Sequence, residues 1–263
     1  MKKFLSLVLV MLFVVTLFPT GNVEAESDSL TGKEVMEKVY GRKTGEDRKA
    51  TMEMVLINRH GNERKREIRQ FERDFGEVVK TIMFFISPAD VRNTSFMNWS
   101  YDDGSSDEQW LYLPALGRVK RITGDDRSDN FMGSDFTYED MSERGIEEDS
   151  HEILRTEILD EREYYVVESV PQDEDYMYSK TVTWIDKEDW IGRKKEFYDR
   201  EGELLKVLEN KDYEEIDGIL TVLESEMHDV KEDHRTVMRL KDVEYNTGIT
   251  EDRFTERMMK RGL

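Results

Sequence analysis

"KATMEMVLIN", residues 49–58, sets how the rest of the chain is read. From Arg48 onward the apolar residues recur with a period of two, which is the spacing of a half-buried strand and not of a helix. His60-Gly61-Asn62 then turns the chain into "ERKREIRQFER" (63–73), and Asp74-Phe75-Gly76 turns it again into "EVVKTIMFFI" (77–86). Small, polar and glycine residues between apolar runs are the chemistry of tight turns. The rhythm continues through "TSFMNWSY" (94–101), "EQWLYLP" (108–114) and "GRVKRI" (117–122). It resumes with "EILRTEIL", "EYYVVESV", "KTVTWID", "GRKKEFYD", "LLKVLENKDYEEI", "ILTVLESEMHDV" and "RTVMRLKDVEYN". About thirteen strand candidates with hairpin-length connections predict a meandering antiparallel sheet.

The strands differ in how much they bury. "ERKREIRQFER" and "GRKKEFYD" are mostly charged, with single apolar residues such as Ile68, Phe71 and Phe197, so each has a face in water. "TIMFFI" and "WLYLP" are apolar at consecutive positions, which requires both faces to be covered. A large antiparallel sheet curled around an interior, with helix or loop packed into it, meets both demands. At the start, Leu30, Val35, Met36, Val39 and Tyr40 follow helical spacing, with Thr31 placed as N-cap and Gly41 just beyond the end.

Residues 1–25 read as a secretory signal: Lys2 and Lys3, an apolar run from Phe4 to Phe18, then Pro19, Gly21 and a small-residue site ending at Ala25. The expected organisation is therefore a signal over 1–25 and a single domain over 26–263, placed outside the cytoplasmic membrane. The chain has no cysteine, which excludes disulfides, thiolate metal sites, a cysteine nucleophile and a lipid-modified cysteine. Its net charge of −20 opposes phosphate backbones, so nucleic acid is not an expected partner.

Signals for chemistry are weak. His60, His151, His228 and His234 form no pair at helical spacing, so no metal site is expected. The acidic loop around Asp125, Asp129 and Asp135 lacks the oxygen-ligand spacing of an EF-hand: with Gly133 at position 6, Met132 falls at position 5. In "FMGSDFTYED" (131–140), Ser134 lacks the second glycine of a nucleophile elbow, and no glycine-rich phosphate turn occurs. No catalytic residue and no cofactor are expected. Ser134 or Asp135 is expected instead to cap a short helix, "FTYEDMSE", with Phe131, Met132, Phe136 and Tyr138 turned inward.

Three stretches together resemble a known family: "DEQWLYLPALGRVKRI" (107–122), "GDDRSDNFMGSDFTYEDM" (124–141) and the terminal "GITEDRFTERMMKR" (248–261). They are similar to the outer membrane lipoprotein-sorting proteins, relatives of the LolA and LolB carriers, most closely from Trp110 to Met141. The resemblance implies a mainly β fold: an unclosed, strongly curved antiparallel barrel of LolA-like form, with an N-terminal helix and short helices or a loop covering the concave face. It also implies binding of a lipid or acylated ligand in an apolar cavity, and association with membrane exporters of the resistance-nodulation-division class. Holding an acyl chain in water means offsetting about 0.8 kcal/mol per CH₂ group, so the site should be a diffuse apolar lining. The candidates are Met54, Met83, Phe85, Phe96, Trp99, Trp110, Tyr112, Phe131, Met132, Phe136, Tyr138 and Trp184.

Overall fold

The computed structural model describes residues 30–102 and 105–263, so the expected signal lies outside the described residues. The opening helix α1 (Gly32–Tyr40) begins where the sequence places its cap. Thr31 Oγ1 accepts from Glu34 N at 3.2 Å, while the Glu34 carboxylate accepts from Thr31 N at 2.6 Å. This reciprocal pair satisfies two of the amides that a helix start leaves open.

Six strands follow: β1 (Asp47–Ile57), β2 (Glu63–Asp74), β3 (Val78–Ser87), β4 (Ser95–Tyr101), β5 (Glu108–Leu113) and β6 (Arg118–Ile122). Seven more complete the sheet: β7 (Asp149–Leu159), β8 (Arg162–Pro171), β9 (Lys180–Asp186), β10 (Gly192–Tyr198), β11 (Leu204–Ile216), β12 (Ile219–Asp229) and β13 (His234–Tyr245). A terminal helix, α2 (Glu256–Arg261), ends the described chain. All the paired neighbours are antiparallel, and the single 13-stranded sheet runs β6-β5-β4-β3-β2-β1-β13-β12-β11-β10-β9-β8-β7.

That order has one long-range join, between the first and last strands at the centre. The two edges, β6 and β7, are consecutive in the chain and are not paired with each other, so the barrel is unclosed, as the resemblance implies. Residues 123–148 connect them as a series of 3-10 turns.

Register assigns the faces, because directly paired residues project to the same side of a sheet. On the inner face Met238 pairs with Met54, Ile68 with Phe85, and Met83 with Phe96. The same face continues through Met227, Leu208, Lys195 and Thr183 to Val167. Helix α1 packs here, setting Val35 against Val167 and Ile185. Gly32 permits this approach: a Cβ on it would lie 2.4 Å from the His151 carbonyl oxygen.

The outer face of β2–β5 is covered by the C-terminal segment. Phe254 and Met259 pack on Phe71, Ile82, Phe84 and Met97, with Trp99, Trp110 and Tyr112 at the margin. Asp47, 4% exposed, fastens that segment by accepting from Thr247 N and Gly248 N at 2.8 Å and from Ile249 N at 3.1 Å. Both faces of "TIMFFI" are thus covered, inside by the core and outside by this strap.

Candidate functional site

Along its strands the inner face grades from apolar to polar. One row across the sheet is Met52, Ile68 and Phe85; a second is Ala50, Gln70, Met83, Phe96 and Leu111. A third row is polar from β1 to β5: Arg48, Glu72, Thr81, Asn98 and Gln109.

The loop between β6 and β7 lies on the apolar part. Phe131, fully buried, sits 5.0 Å from the ring of Phe96, 5.5 Å from Tyr138 and 6.2 Å from Phe85. Phe136 and Tyr138 are buried in the same cluster, and Met132 packs against it partly buried. Met132 and Gly133 both take left-handed backbone, with φ of 52° and 72°. The chain reverses there, so that Phe131 N donates to the Phe136 carbonyl at 2.7 Å. Glycine at 133 accepts this conformation without steric penalty.

Polar side chains hold the loop across the whole interior. Asp135 is bound by β13: Thr236 Oγ1 donates to its carboxylate at 2.6 Å, and His234 Nδ1 lies 3.0 Å away. Gln109 of β5 donates to the Tyr138 carbonyl at 2.8 Å. Asp140 accepts from Thr137 N at 2.7 Å, from Tyr178 Oη at 2.9 Å and from the Lys206 ammonium on β11. The expected capped helix at "FTYEDMSE" does not form; only a 3-10 turn, Glu139–Met141, occurs there. Asp135 is committed to β13, and the Ser134 hydroxyl donates to the Phe131 carbonyl at 2.7 Å, so neither is free to cap. Thr137 and Asp140 exchange the local bonds instead.

Where the face becomes polar it is left open. A cavity of about 950 Å³ lies between α1, residues 136–149 of the loop and the inner strands. Its lining carries many carboxylates, among them Glu72, Asp74, Asp107, Asp140, Glu143 and Asp149. The same lining carries Tyr40, Tyr176, Tyr178, Phe197, Leu208 and Met227, with Lys195 beside Leu208 on the neighbouring strand. Glu143 lines this cavity. Burial within its walls, reinforced by the Glu72, Asp107 and Asp102 charges, pushes its pKa up to about 7. Burial also raises Asp107, against the hydrogen bonds that Ser100 and Ser142 offer it. It raises the phenol of Tyr178 well above its ordinary range, with the Asp140 charge adding to the effect. Lys195 is shifted down by burial, against the pull of Asp140 and Asp149.

The twelve residues named from the sequence separate into two groups. Met54, Met83, Phe85, Phe96, Phe131, Phe136 and Tyr138 meet in one inner cluster with Met132 beside them, packed on one another. Phe136 alone of the twelve lines the cavity. Trp99, Trp110 and Tyr112 project to the outer face beneath the C-terminal strap, and Trp184 lies on the outer face with Tyr164, Val166 and Val182. Consecutive apolar residues in a doubly covered strand go to opposite sides, which sends Trp110 and Tyr112 away from Leu111. Reading the sequence by greasiness missed Lys195, Leu208 and Met227. A usable signal existed: Lys195 shares strand parity with Phe197, the one buried apolar residue of β10.

A second depression of about 530 Å³ is bounded by Asn58, His60, Ser134, Asp135, Asp229 and His234. Ser134 is 1% exposed with its hydroxyl directed at backbone carbonyls, so the Asp135–His234 pair there acts as a loop fastening. Among the described residues, no group of three or more His, Asp or Glu is arranged to hold a metal ion. Among the described residues, no helix is long and apolar enough to cross a membrane.

No curated protein matches the chain. A family model described as "-like: Uncharacterized protein" matches residues 77–261. A solved outer membrane lipoprotein-sorting protein domain from Vibrio parahaemolyticus is 36% identical, over 88% of this chain and 98% of that one, with a TM-score of 0.82. A DUF1329 family protein from Desulfovibrio piger is 27% identical, over 87% and 97%, also with a TM-score of 0.82. A LolA superfamily protein from Nitrosomonas europaea shares the fold at 18% identity, over 87% and 99%, with a TM-score of 0.68.

Proposed function

Because this chain belongs to the outer membrane lipoprotein-sorting protein family, we propose that it binds a lipid or lipid-linked molecule in the inner cavity and carries it outside the cytoplasmic membrane. The observation that supports this reading most is the cavity of about 950 Å³ itself, set between a helix, a loop and a curved sheet. Its size lies at the upper end of the range usual for small-molecule sites. An acyl chain lies along Tyr178, Phe197, Leu208 and Met227, with Phe136 as the point where the loop meets it. The inner cluster of Met54, Met83, Phe85 and Phe96 forms the floor beneath the loop, while Trp99, Trp110, Tyr112 and Trp184 serve the fold from the outer face. The protein acts by binding and release, without a catalytic step.

The test is native mass spectrometry of gently purified chain, with lipid extraction and uptake of a fluorescent fatty acid. Co-purifying lipid and saturable uptake are expected. A ligand-free protein that refuses the fatty acid overturns the reading. Cleavage of residues 1–25 is checked by the N-terminal sequence of the exported chain, expected to begin at Glu26.

One observation favours a second reading. Phe131, Phe136 and Tyr138 already occupy the apolar part of the interior, as they would in a barrel filled by its own side chains. On that reading the chain is a non-carrying accessory subunit of a resistance-nodulation-division transporter. Recovery of the exporter with tagged protein that contains no lipid would select it.

A further inference from the structure

Most cations of the interior are matched. Lys206 pairs with Asp140, Arg144 with Asp149 at 2.8 Å, Arg127 with Glu139 at 3.0 Å, and Arg48 with Glu72 at 2.9 Å. Lys195 on β10 differs. It lines the cavity, yet its ammonium has no hydrogen bond and no ion pair among the described residues, only the ring of Phe197 at 5.1 Å. Its cross-strand neighbours are Leu208 and Thr183. The charges facing it are Asp140, Asp149, Arg144 and Lys206, and both carboxylates are engaged by those two other cations. Glu143, which also lines the cavity, makes no ion pair with it among the described residues. An ammonium half-buried on an apolar wall gives up hydration without regaining it from a partner.

We propose that Lys195 anchors the anionic head group of the cavity's ligand, a carboxylate or phosphate carried on an acyl chain; this rests on the carrier reading above. Oxygen anions form short, charge-assisted hydrogen bonds with ammonium groups, and here the apolar wall beside the lysine receives the chain. The carboxylates of the lining oppose a free anion entering without a tail, so the head group is held only with its chain.

The experiment compares hexadecanoate, hexadecyl phosphate, hexadecanol and hexadecylamine as competitors for a fluorescent fatty acid on wild type, Lys195→Met and Lys195→Arg, each with its thermal unfolding checked. In wild type the two anions are expected to bind about tenfold or more tighter than the alcohol. Lys195→Met should remove that difference by weakening the two anions about tenfold or more relative to hexadecanol, and Lys195→Arg should keep it. Survival of the anion preference in a folded Lys195→Met, or tighter binding of hexadecylamine than of hexadecanoate, overturns the assignment while leaving the carrier reading intact. Displacement of hexadecanoate by inorganic phosphate would show a site for free anions and overturn it too. If none of the amphiphiles binds wild type, the carrier reading itself fails and takes this assignment with it.

Discussion

The apolar and polar parts of the inner face belong to the same strands and end in opposite states. Where Met54, Met83, Phe85 and Phe96 face inward, the loop closes down and packs Phe131, Phe136 and Tyr138 into the same cluster. A few residues further along, Glu72 of β2, Asp107 just before β5 and Glu143 of the loop line the cavity, and the interior stays open. Apolar side chains gain free energy by excluding water, whereas carboxylates lose hydration and repel one another when brought together. The cavity is therefore held open by chemistry that resists collapse. The fold leaves space where its side chains still require water.

The strongest way to break this contrast is to remove the plug. Phe131→Ala is expected to destabilise the protein by about 3–5 kcal/mol, since a fully buried ring with three aromatic neighbours is lost. Urea unfolding measures it, and a cost below about 1 kcal/mol would show that the loop is a loose cover. Next is the fastening. Asp135→Ala removes the acceptor for Thr236 and His234 and should cost about 1–3 kcal/mol, with faster amide hydrogen exchange confined to the loop. Unchanged exchange there would mean that aromatic packing alone holds the loop.

A smaller effect tests the open part. Glu143 holds its proton more tightly in the folded state, with a pKa of about 7 against an ordinary value of 4.5. The folded protein thus binds more protons across that window, and stability falls as pH rises through it. Glu143→Gln should accordingly raise Tm at about pH 8 and change it little at about pH 4, with cavity water limiting the gain to about 1 kcal/mol. A gain at low pH instead would reverse the sign and remove the crowded-carboxylate account. The smallest effect on binding is expected from Trp110→Ala: it lowers stability through the outer cluster but leaves fatty-acid uptake at the wild-type value. Loss of uptake in a folded variant would bring the outer face into the site.

Much of the fold was legible because its signals are local. Period-two runs and turn residues mark thirteen strands where the sheet has 13, and Thr31 with Glu34 announces the start of α1. Phe131, Met132, Phe136 and Tyr138 were expected to turn inward as part of a cover over the barrel, and the three rings are buried with Met132 partly buried beside them. The site was less legible because it depends on parity and on partners far away in sequence. Trp110 and Leu111 are adjacent and equally apolar; strand alternation sends them to opposite faces, and only the register with β4 says which one is inside. Asp135 looks like a local cap until β13 arrives to claim it, and Lys195 looks like one more surface charge until Leu208 and Phe197 are seen on its side of the strand.

The central join of β1 to β13 carries a consequence for how the molecule is made. Arg48 pairs with Tyr245, close to the two ends of the described chain, while every other strand pairs with a neighbour in sequence. Two meanders, β1–β6 and β7–β13, can each zip by hairpins, but the sheet is one body only after its last strand is available. Contacts of such long sequence separation are slow to form, because the loop-closure entropy comes due before the contacts repay it. A chain emerging from a translocation pore amino end first would leave its opening strand waiting, with its inward methionines unsheltered, until the carboxyl end has passed through.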